Sequence, residues 1–146
     1  MLNKRKGLTL FNLNVEKQIT TILNFWFEDC EPKDWFKKDE NFDKEVKNKF
    51  GNLVTDALLG YANNWRKSLN GCLALIILTD QFTRNIFRGS PRSFSGDAIA
   101  LNTALHCLNN FDIGQQTQEI SHFILIPLMH SENLIIQEKY LPLFQE

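Results

Sequence analysis

A run of apolar residues at helical spacing constrains the fold of this 146-residue chain more than any other feature. Between Asp39 and Tyr61, apolar side chains recur every three or four positions, which places them on one face of a helix. Asp39 has a side chain suited to cap the start of this helix. No segment shows the alternation of apolar and polar residues, bounded by turn residues, that is typical of strands. The sequence therefore predicts an all-α fold.

Further segments carry helical patterns or helix-start signals, which brings the prediction to about six helices. Ser68 or Asn70, Ser95, Thr117 and Ser131 are the expected caps, and Pro127 is expected to kink or end its helix. Short connections favour consecutive helices that pack as antiparallel hairpins. The other predicted helices cover residues 16–28, 68–87, 95–108, 117–128 and 131–141.

The length of the chain predicts a single domain. Residues 1–14 show no periodicity, so we expect a loose N-terminal arm there and one helical domain over residues 15–146. The chain ends in the apolar sequence YLPLFQE without a capping glycine, as if within a helix. An interrupted last helix would leave apolar surface exposed, available for self-association or for a protein partner.

Composition excludes several classes of protein. The formal net charge is -1 and basic residues line no stripe, which indicates that the chain does not bind nucleic acid. The longest apolar runs, 72–78 and 123–129, have seven residues, far below the ~18 of a membrane span. The three cysteines have no C-x-x-C spacing, so neither a disulfide framework nor a zinc knuckle is predicted. Their small number favours a reducing, cytoplasmic location.

The common motifs for cofactors and metals are absent from the sequence. The sequence contains no P-loop, no G-x-G-x-x-G, no G-x-S-x-G and no H-E-x-x-H. It therefore predicts neither a cofactor nor a metal site, and any function rests on ordinary side chains.

The predicted helix over residues 68–87 begins apolar on all sides and ends in a cluster of polar groups. On a wheel of about 100° per residue, one of its apolar stripes becomes polar near its end. Three guanidinium groups within nine residues can hold a carboxylate or phosphate by bidentate hydrogen bonds. This favours a site for a small anionic molecule or an acidic peptide; a structural lock through an Asp80–Arg84 ion pair is the alternative. The candidate ligand-binding residues are Asp80, Gln81, Arg84, Asn85, Arg88 and Arg92.

His130 is a candidate catalytic residue, because it lies between Pro127 and the predicted cap Ser131. His130 and Glu132 could act as an acid–base pair, with Glu132 or Asp80 orienting the imidazole and an arginine holding an anionic substrate. A surface or capping role for His130 is the alternative. The sequence leaves open whether the chain is an enzyme.

Five short motifs occur in an order that resembles that of a bacterial family known as domain of unknown function 924. The resemblance implies antiparallel helix pairs stacked into an array similar to tetratricopeptide folds. Where Thr83 stands, the family usually has proline, which implies a straighter helix near Asp80 here. The family also continues with a segment rich in His, Arg and Phe that this chain lacks. No activity is established for the family, so the resemblance implies none. The motifs are LNFWF at 23–27, WFKKD at 35–39, DQFTRN at 80–85, FRG at 87–89 and LMHSE at 128–132.

Three functions from different classes follow from these observations. A binding module for an anion at the arginine-rich patch is the favoured hypothesis. An enzyme that uses His130 as general acid or base on an anionic substrate is the second. The third is a structural subunit that docks on a partner through its C-terminal helix.

Overall fold

Every regular element in the described part of the chain is a helix, which confirms the all-α class. The computed structural model describes the backbone of residues 4–131 and 138–139, and the side chains of residues 14–131 and 138–139. The chain divides into two compact units, Met1–Lys38 and Asp39–Glu146. The single domain expected over residues 15–146 stays a prediction, as does the tetratricopeptide-like arrangement.

The first unit contains a long helix and a short one. Helix α1 spans Lys4–Asn24 and continues into a π-helical turn, Phe25–Asp29, and helix α2 spans Pro32–Trp35. Residues 4–14 are thus helical, which the sequence did not predict, and the loose arm expected over residues 1–14 stays a prediction. No proline interrupts this stretch, and extending an existing helix adds a hydrogen bond for each residue fixed.

The second unit begins with the helix that the sequence predicted most strongly. Helix α3 spans Glu40–Leu58, and the Asp39 side chain caps it by accepting hydrogen bonds from the backbone N–H groups of Asn41 and Phe42. The chain then turns at Gly60, whose φ of 87° suits glycine, into a 3-10 turn at Asn63–Lys67. The buried face of α3 carries Val46, Phe50, Val54 and Ala57.

A continuous helix with an irregular middle forms the centre of the second unit. Helix α4 spans Leu69–Ile76, a π-helical turn spans Ile77–Gln81, and helix α5 spans Phe82–Ile86. Ser68 caps α4, since its hydroxyl accepts a hydrogen bond of 3.0 Å from the Gly71 N–H. The predicted extent of this helix is confirmed. The π-turn, which the sequence analysis did not predict, accommodates one extra residue in the helix.

The π-turn forms with threonine at position 83, and the straighter helix that the resemblance implied there stays a prediction. In the turn, the Phe82 N–H bonds to Ile77 O, five residues back. The Thr83 hydroxyl donates to Thr79 O at 3.0 Å, supplying a partner for a carbonyl of the turn. A side-chain donor thus supports the irregular backbone.

Two further helices complete the described part of this unit. A 3-10 turn at Pro91–Phe94 leads to helix α6, Asp97–Asn110, and helix α7 spans Gln118–Met129. Thr117 caps α7 as predicted. Pro127 lies inside α7, which ends two residues later.

The predicted cap of α6 is displaced by one residue. Gly96 occupies the N-cap position, whereas the Ser95 hydroxyl donates to Arg92 O within the preceding turn. The helix predicted over residues 131–141 falls on positions that lie almost entirely outside the described residues.

Packing brings three helix ends together. Helix α4 contacts α6 and α7, and these two contact each other, while α3 packs against α5. The Phe50 and Phe82 rings stack at 4.9 Å between α3 and α5. As a result, the π-turn lies beside the start of α6 and the end of α7. One core cluster between these helices contains Ile76, Ala104, Leu125 and Leu128.

Two further properties of the described residues concern the cysteines and the apolar helices. Cys72 on α4 and Cys107 on α6 are buried free thiols. Within the described residues, no helix combines the length and apolar character needed to cross a membrane.

Candidate functional site

The π-turn holds the Asp80 carboxylate inside the protein. The side chain of Asp80 is only 1% exposed, and a charge so deeply buried requires close polar partners. Its Oδ1 atom lies 3.0 Å from His130 Nδ1, and its Oδ2 atom accepts a 2.7 Å hydrogen bond from Gln81 Nε2. Both carboxylate oxygens therefore have a partner, one of which is the predicted catalytic histidine.

Arg84 lies one helical turn beyond Asp80 and joins the same cluster. Its Nη1 atom lies 3.5 Å from Asp80 Oδ1 and also donates to the Asp80 backbone carbonyl. Its Nη2 atom lies 3.4 Å from His130 Nδ1. The Phe94 ring covers the guanidinium, with Cζ 5.3 Å from the ring centroid. The predicted Asp80–Arg84 ion pair is thus present, and it forms part of a larger network.

Asp97 brings a second carboxylate to this guanidinium from the first turn of α6. Asp97 Oδ1 lies 3.1 Å from Arg84 Nη1, and Asp97 Oδ2 accepts from Arg84 Nη2 at 3.4 Å. Oδ1 is shielded from solvent and accepts no well-aligned hydrogen bond, so its contact with Arg84 is ionic in character. A carboxylate at this position also interacts favourably with the helix dipole.

Gly96 allows α6 to approach the π-turn closely enough for this contact. A Cβ atom at position 96 would lie 2.2 Å from the backbone oxygen of Thr79, the residue before Asp80. No side chain fits at that distance, so only glycine permits this approach. The backbone contact between Gly96 and Thr79 thereby sets the separation of Asp97 from Asp80.

A cavity of about 310 Å³ opens beside the cluster. Asp80 lines it from the π-turn, Asp97 from the start of α6, and His130 from the end of α7. Its size is at the lower end of small-molecule sites, about 300–1,000 Å³. The other lining residues are Ala98, Leu101, Pro127 and Ser131.

The structure divides the six-residue patch that the sequence predicted. Asp80, Gln81 and Arg84 belong to the cluster just described, whereas Asn85 and Arg88 bind Asp43 of α3. Arg88 donates to both Asp43 oxygens, at 2.7 and 3.0 Å, and Asn85 Nδ2 donates to one of them at 2.9 Å. Hydrogen bonding to Asp43 raises the pKa of the Arg88 guanidinium above its ordinary value.

Arg92 belongs to neither cluster. Its Cζ atom lies 4.3 Å from the centroid of the Phe87 ring, a cation–π distance. The three arginines therefore do not converge on one ligand, and the single predicted patch is wrong in this respect.

The end of the helix explains why the helical wheel failed. Helix α5 ends at Ile86, so Arg88 has left the helix on which the wheel placed it. The wheel assumed an unbroken α-helix to Arg88.

The catalytic pair predicted from the sequence is only half described. His130 lies in the cluster, as the C-cap of α7, and Asp80 contacts its ring. Glu132 lies outside the described residues, so its predicted role cannot be placed.

Sequence reasoning did not single out Asp97 or Asp43 as site residues. Both lie in the first turn of a helix, where a carboxylate has an ordinary explanation in the helix dipole. The sequence feature that could have identified Asp97 as a site residue is its position directly after the loop that follows the arginines. Among the described residues, no group of three His, Cys, Asp or Glu side chains is arranged to hold a metal ion.

Comparison with other proteins gives the chain a family. The family model described as bacterial protein of unknown function (DUF924) matches residues 22–146. The chain is also similar to a solved structure, the protein of unknown function ATU0120 from Agrobacterium tumefaciens, with 27% identity and a TM-score of 0.84. That similarity covers 90% of this chain and 74% of the other. No curated protein matches. Since the family model covers most of its length, the chain belongs to the DUF924 family of bacterial proteins.

Proposed function

We propose that the chain is an enzyme in which the Asp80–His130 pair transfers a proton for a small molecule bound in the adjacent cavity. The observation that carries this proposal is the 3.0 Å contact between the buried Asp80 carboxylate and His130 Nδ1. A carboxylate that orients an imidazole beside a cavity is a recurrent arrangement for general acid–base catalysis.

The partners of His130 determine which ring nitrogen carries a hydrogen. A carboxylate can only accept, so Nδ1 must donate to Asp80 Oδ1. The guanidinium of Arg84, which lies 3.4 Å from Nδ1, can then only act on the ring through its charge. In the neutral imidazole the lone pair is therefore on Nε2, which is the atom that would accept a proton.

The surrounding residues hold this pair in place. Gln81 and Arg84 occupy the remaining positions around the Asp80 carboxylate, which restrains its orientation. His130 is 38% exposed and lines the cavity, so its ring can meet a ligand there. The buried carboxylate and the accessible imidazole thus have separate roles, orientation and proton transfer.

The charges of the cluster favour this enzyme hypothesis over the anion-binding module. Arg84 already faces the carboxylates of Asp80 and Asp97, and Arg88 is paired with Asp43. An anion would have to compete with these internal carboxylates. Binding of a small anion or an acidic peptide at the arginines stays a prediction, as does docking through the C-terminal helix.

Hydrolysis of p-nitrophenyl acetate tests the proposal with a neutral probe. His130 Nε2 would take a proton from water while the water oxygen bonds to the ester carbonyl carbon; p-nitrophenolate leaves, and the imidazolium returns the proton to solvent. We expect His130→Gln to lower the rate by about a hundredfold, the lower end of the contribution of a positioned acid–base group.

His122→Gln is the matched control, because His122 is an exposed histidine of the same helix. It should keep the rate of the unmodified chain. Equal rates for the His130 and His122 variants, each folded by circular dichroism, would show that His130 transfers no proton and would refute the proposed function.

A further inference from the structure

We infer that the cavity binds a small organic cation, a primary ammonium with an apolar body, in preference to a neutral or anionic molecule of the same shape. This inference rests on the proposed function for the location of the site. It adds the chemical class of the ligand, which the proton-transfer pair alone does not specify.

The charge balance around the cavity is the first argument. Among the described residues that line it, Asp80 and Asp97 are acidic and none is a lysine or an arginine. Arg84 compensates one of the two carboxylates from outside the lining. With the imidazole neutral, the group Asp80, Asp97, Arg84 and His130 has a net charge of about -1, so a bound cation would neutralise it.

The arrangement of the carboxylates is the second argument. Arg84 Nη1 lies 3.5 Å from Asp80 Oδ1 and 3.1 Å from Asp97 Oδ1, so one guanidinium group holds both carboxylates close together. Like charges at this separation repel, and one cation offsets only part of that repulsion. An ammonium in the cavity would bring a second positive charge to this pair, and Asp97, whose side chain is 36% exposed, is the carboxylate that it can reach.

The remaining walls explain the apolar body. Ala98 and Leu101 line the cavity from successive turns of α6, and Pro127 lines it from α7. These three side chains offer hydrocarbon surface and no charge, and Ser131 adds a neutral polar residue to the lining. A ligand with a cationic end and a compact hydrocarbon end would therefore match the carboxylates and these walls at the same time.

Three compounds of one shape separate charge from size. Cyclohexylamine, cyclohexanol and cyclohexanecarboxylate carry a positive, zero and negative charge on the same six-membered ring near neutral pH. We would titrate each into the full chain at low salt and follow the methyl signals of Ala98 and Leu101 by NMR. We expect cyclohexylamine to bind at least tenfold more tightly than the carboxylate, with cyclohexanol between them.

An Asp97→Asn variant provides the second measurement, with Asp56→Asn as an exposed carboxylate control on α3. Loss of the Asp97 charge should reduce the preference for cyclohexylamine severalfold, whereas the control should leave it unchanged. Tighter binding of cyclohexanecarboxylate would overturn the inference. So would the absence of shifts at Ala98 and Leu101 with all three compounds up to tens of millimolar.

The two proposals fail in different experiments. If His130→Gln keeps full ester hydrolysis while cyclohexylamine still shifts the cavity methyl signals, the proton-transfer function fails and the cation site stands. If hydrolysis depends on His130 but the cavity shows no preference for the ammonium, the inference about the ligand fails alone.

Discussion

Two aspartate–arginine clusters border the same central helix of this protein, and they differ in what they leave available. In the Asp43 cluster, Arg88 meets both carboxylate oxygens and Asn85 adds a third hydrogen bond. One charge matches one charge, and the two ions form a bidentate pair. In the Asp80 cluster, one guanidinium faces two carboxylates, and an imidazole and a cavity lie beside them.

The difference separates a structural ion pair from a candidate site. A bidentate pair with matched charges has met most of its bonding capacity, and it ties α3 to the region after α5. A cluster with excess negative charge, a titratable ring and adjacent space retains capacity for a ligand. The Asp43 cluster is therefore expected to affect stability, and the Asp80 cluster to affect chemistry.

Asp80→Asn tests the Asp80 cluster through ester hydrolysis. Gln81 Nε2 would hold the amide oxygen at the Oδ2 position, so the amide nitrogen would donate to His130 Nδ1, which places the ring hydrogen on Nε2 and removes the lone pair that accepts the proton. We expect hydrolysis of p-nitrophenyl acetate to fall by about a hundredfold, which corresponds to about 2.7 kcal/mol in activation free energy. Long-range ¹H–¹⁵N NMR correlations would report the change of tautomer directly.

Asp43→Asn is the matched variant in the other cluster, since it also removes one carboxylate charge beside an arginine. Its hydrolysis rate should stay within a factor of two of that of the unmodified chain. An equal fall in both variants would mean that the two clusters act through stability alone, and the distinction between them would be lost.

Gly96→Ala tests whether close backbone packing sets the geometry of the Asp80 cluster. The backbone dihedrals at Gly96, φ -99° and ψ 0°, are accessible to alanine, so any cost arises from the contact of its Cβ with Thr79 O. Such overpacking against backbone is expected to lower the free energy of unfolding by about 2 kcal/mol. Urea denaturation measures this change.

Gly51→Ala is the control for that variant. Gly51 lies within α3, and a Cβ there would meet Lys47 Cγ at 3.8 Å, an ordinary contact. Alanine is the better helix former, so this variant should gain about 0.5–1 kcal/mol. A Gly96 variant as stable as the unmodified chain would contradict the role of the Thr79 contact.

Much of the helical fold could be predicted because its signals are local. The caps Asp39, Ser68 and Thr117 lie where the sequence placed them, and the apolar positions of α3 form its buried face. The helix from Lys4 was missed because residues 1–14 show no amphipathic pattern. A helix without an apolar face gives no periodic pattern of apolar residues.

The candidate site could be predicted only in part, because its partners come from distant segments. Asp80, Arg84 and His130 were identified from their residue types and positions, but Asp97 and Asp43 resemble ordinary first-turn carboxylates. The π-turn changes which side chains share a face, and no pattern in the sequence marked it. Arg88 pairs with Asp43 because tertiary packing brings the two residues together. A helical wheel carries no information about tertiary packing.

A smaller effect is expected for the coupling between Asp43 and Arg88. In a double-mutant cycle of Asp43→Asn and Arg88→Gln, the coupling free energy isolates the pair from other losses. Arg88 is 34% exposed, so solvent screens the pair and the coupling should be about 1 kcal/mol, near the upper end for surface pairs. Urea denaturation of the four proteins measures it. A coupling near zero would show that the bidentate contact does not stabilise the fold, and that the Asp43 cluster needs another explanation.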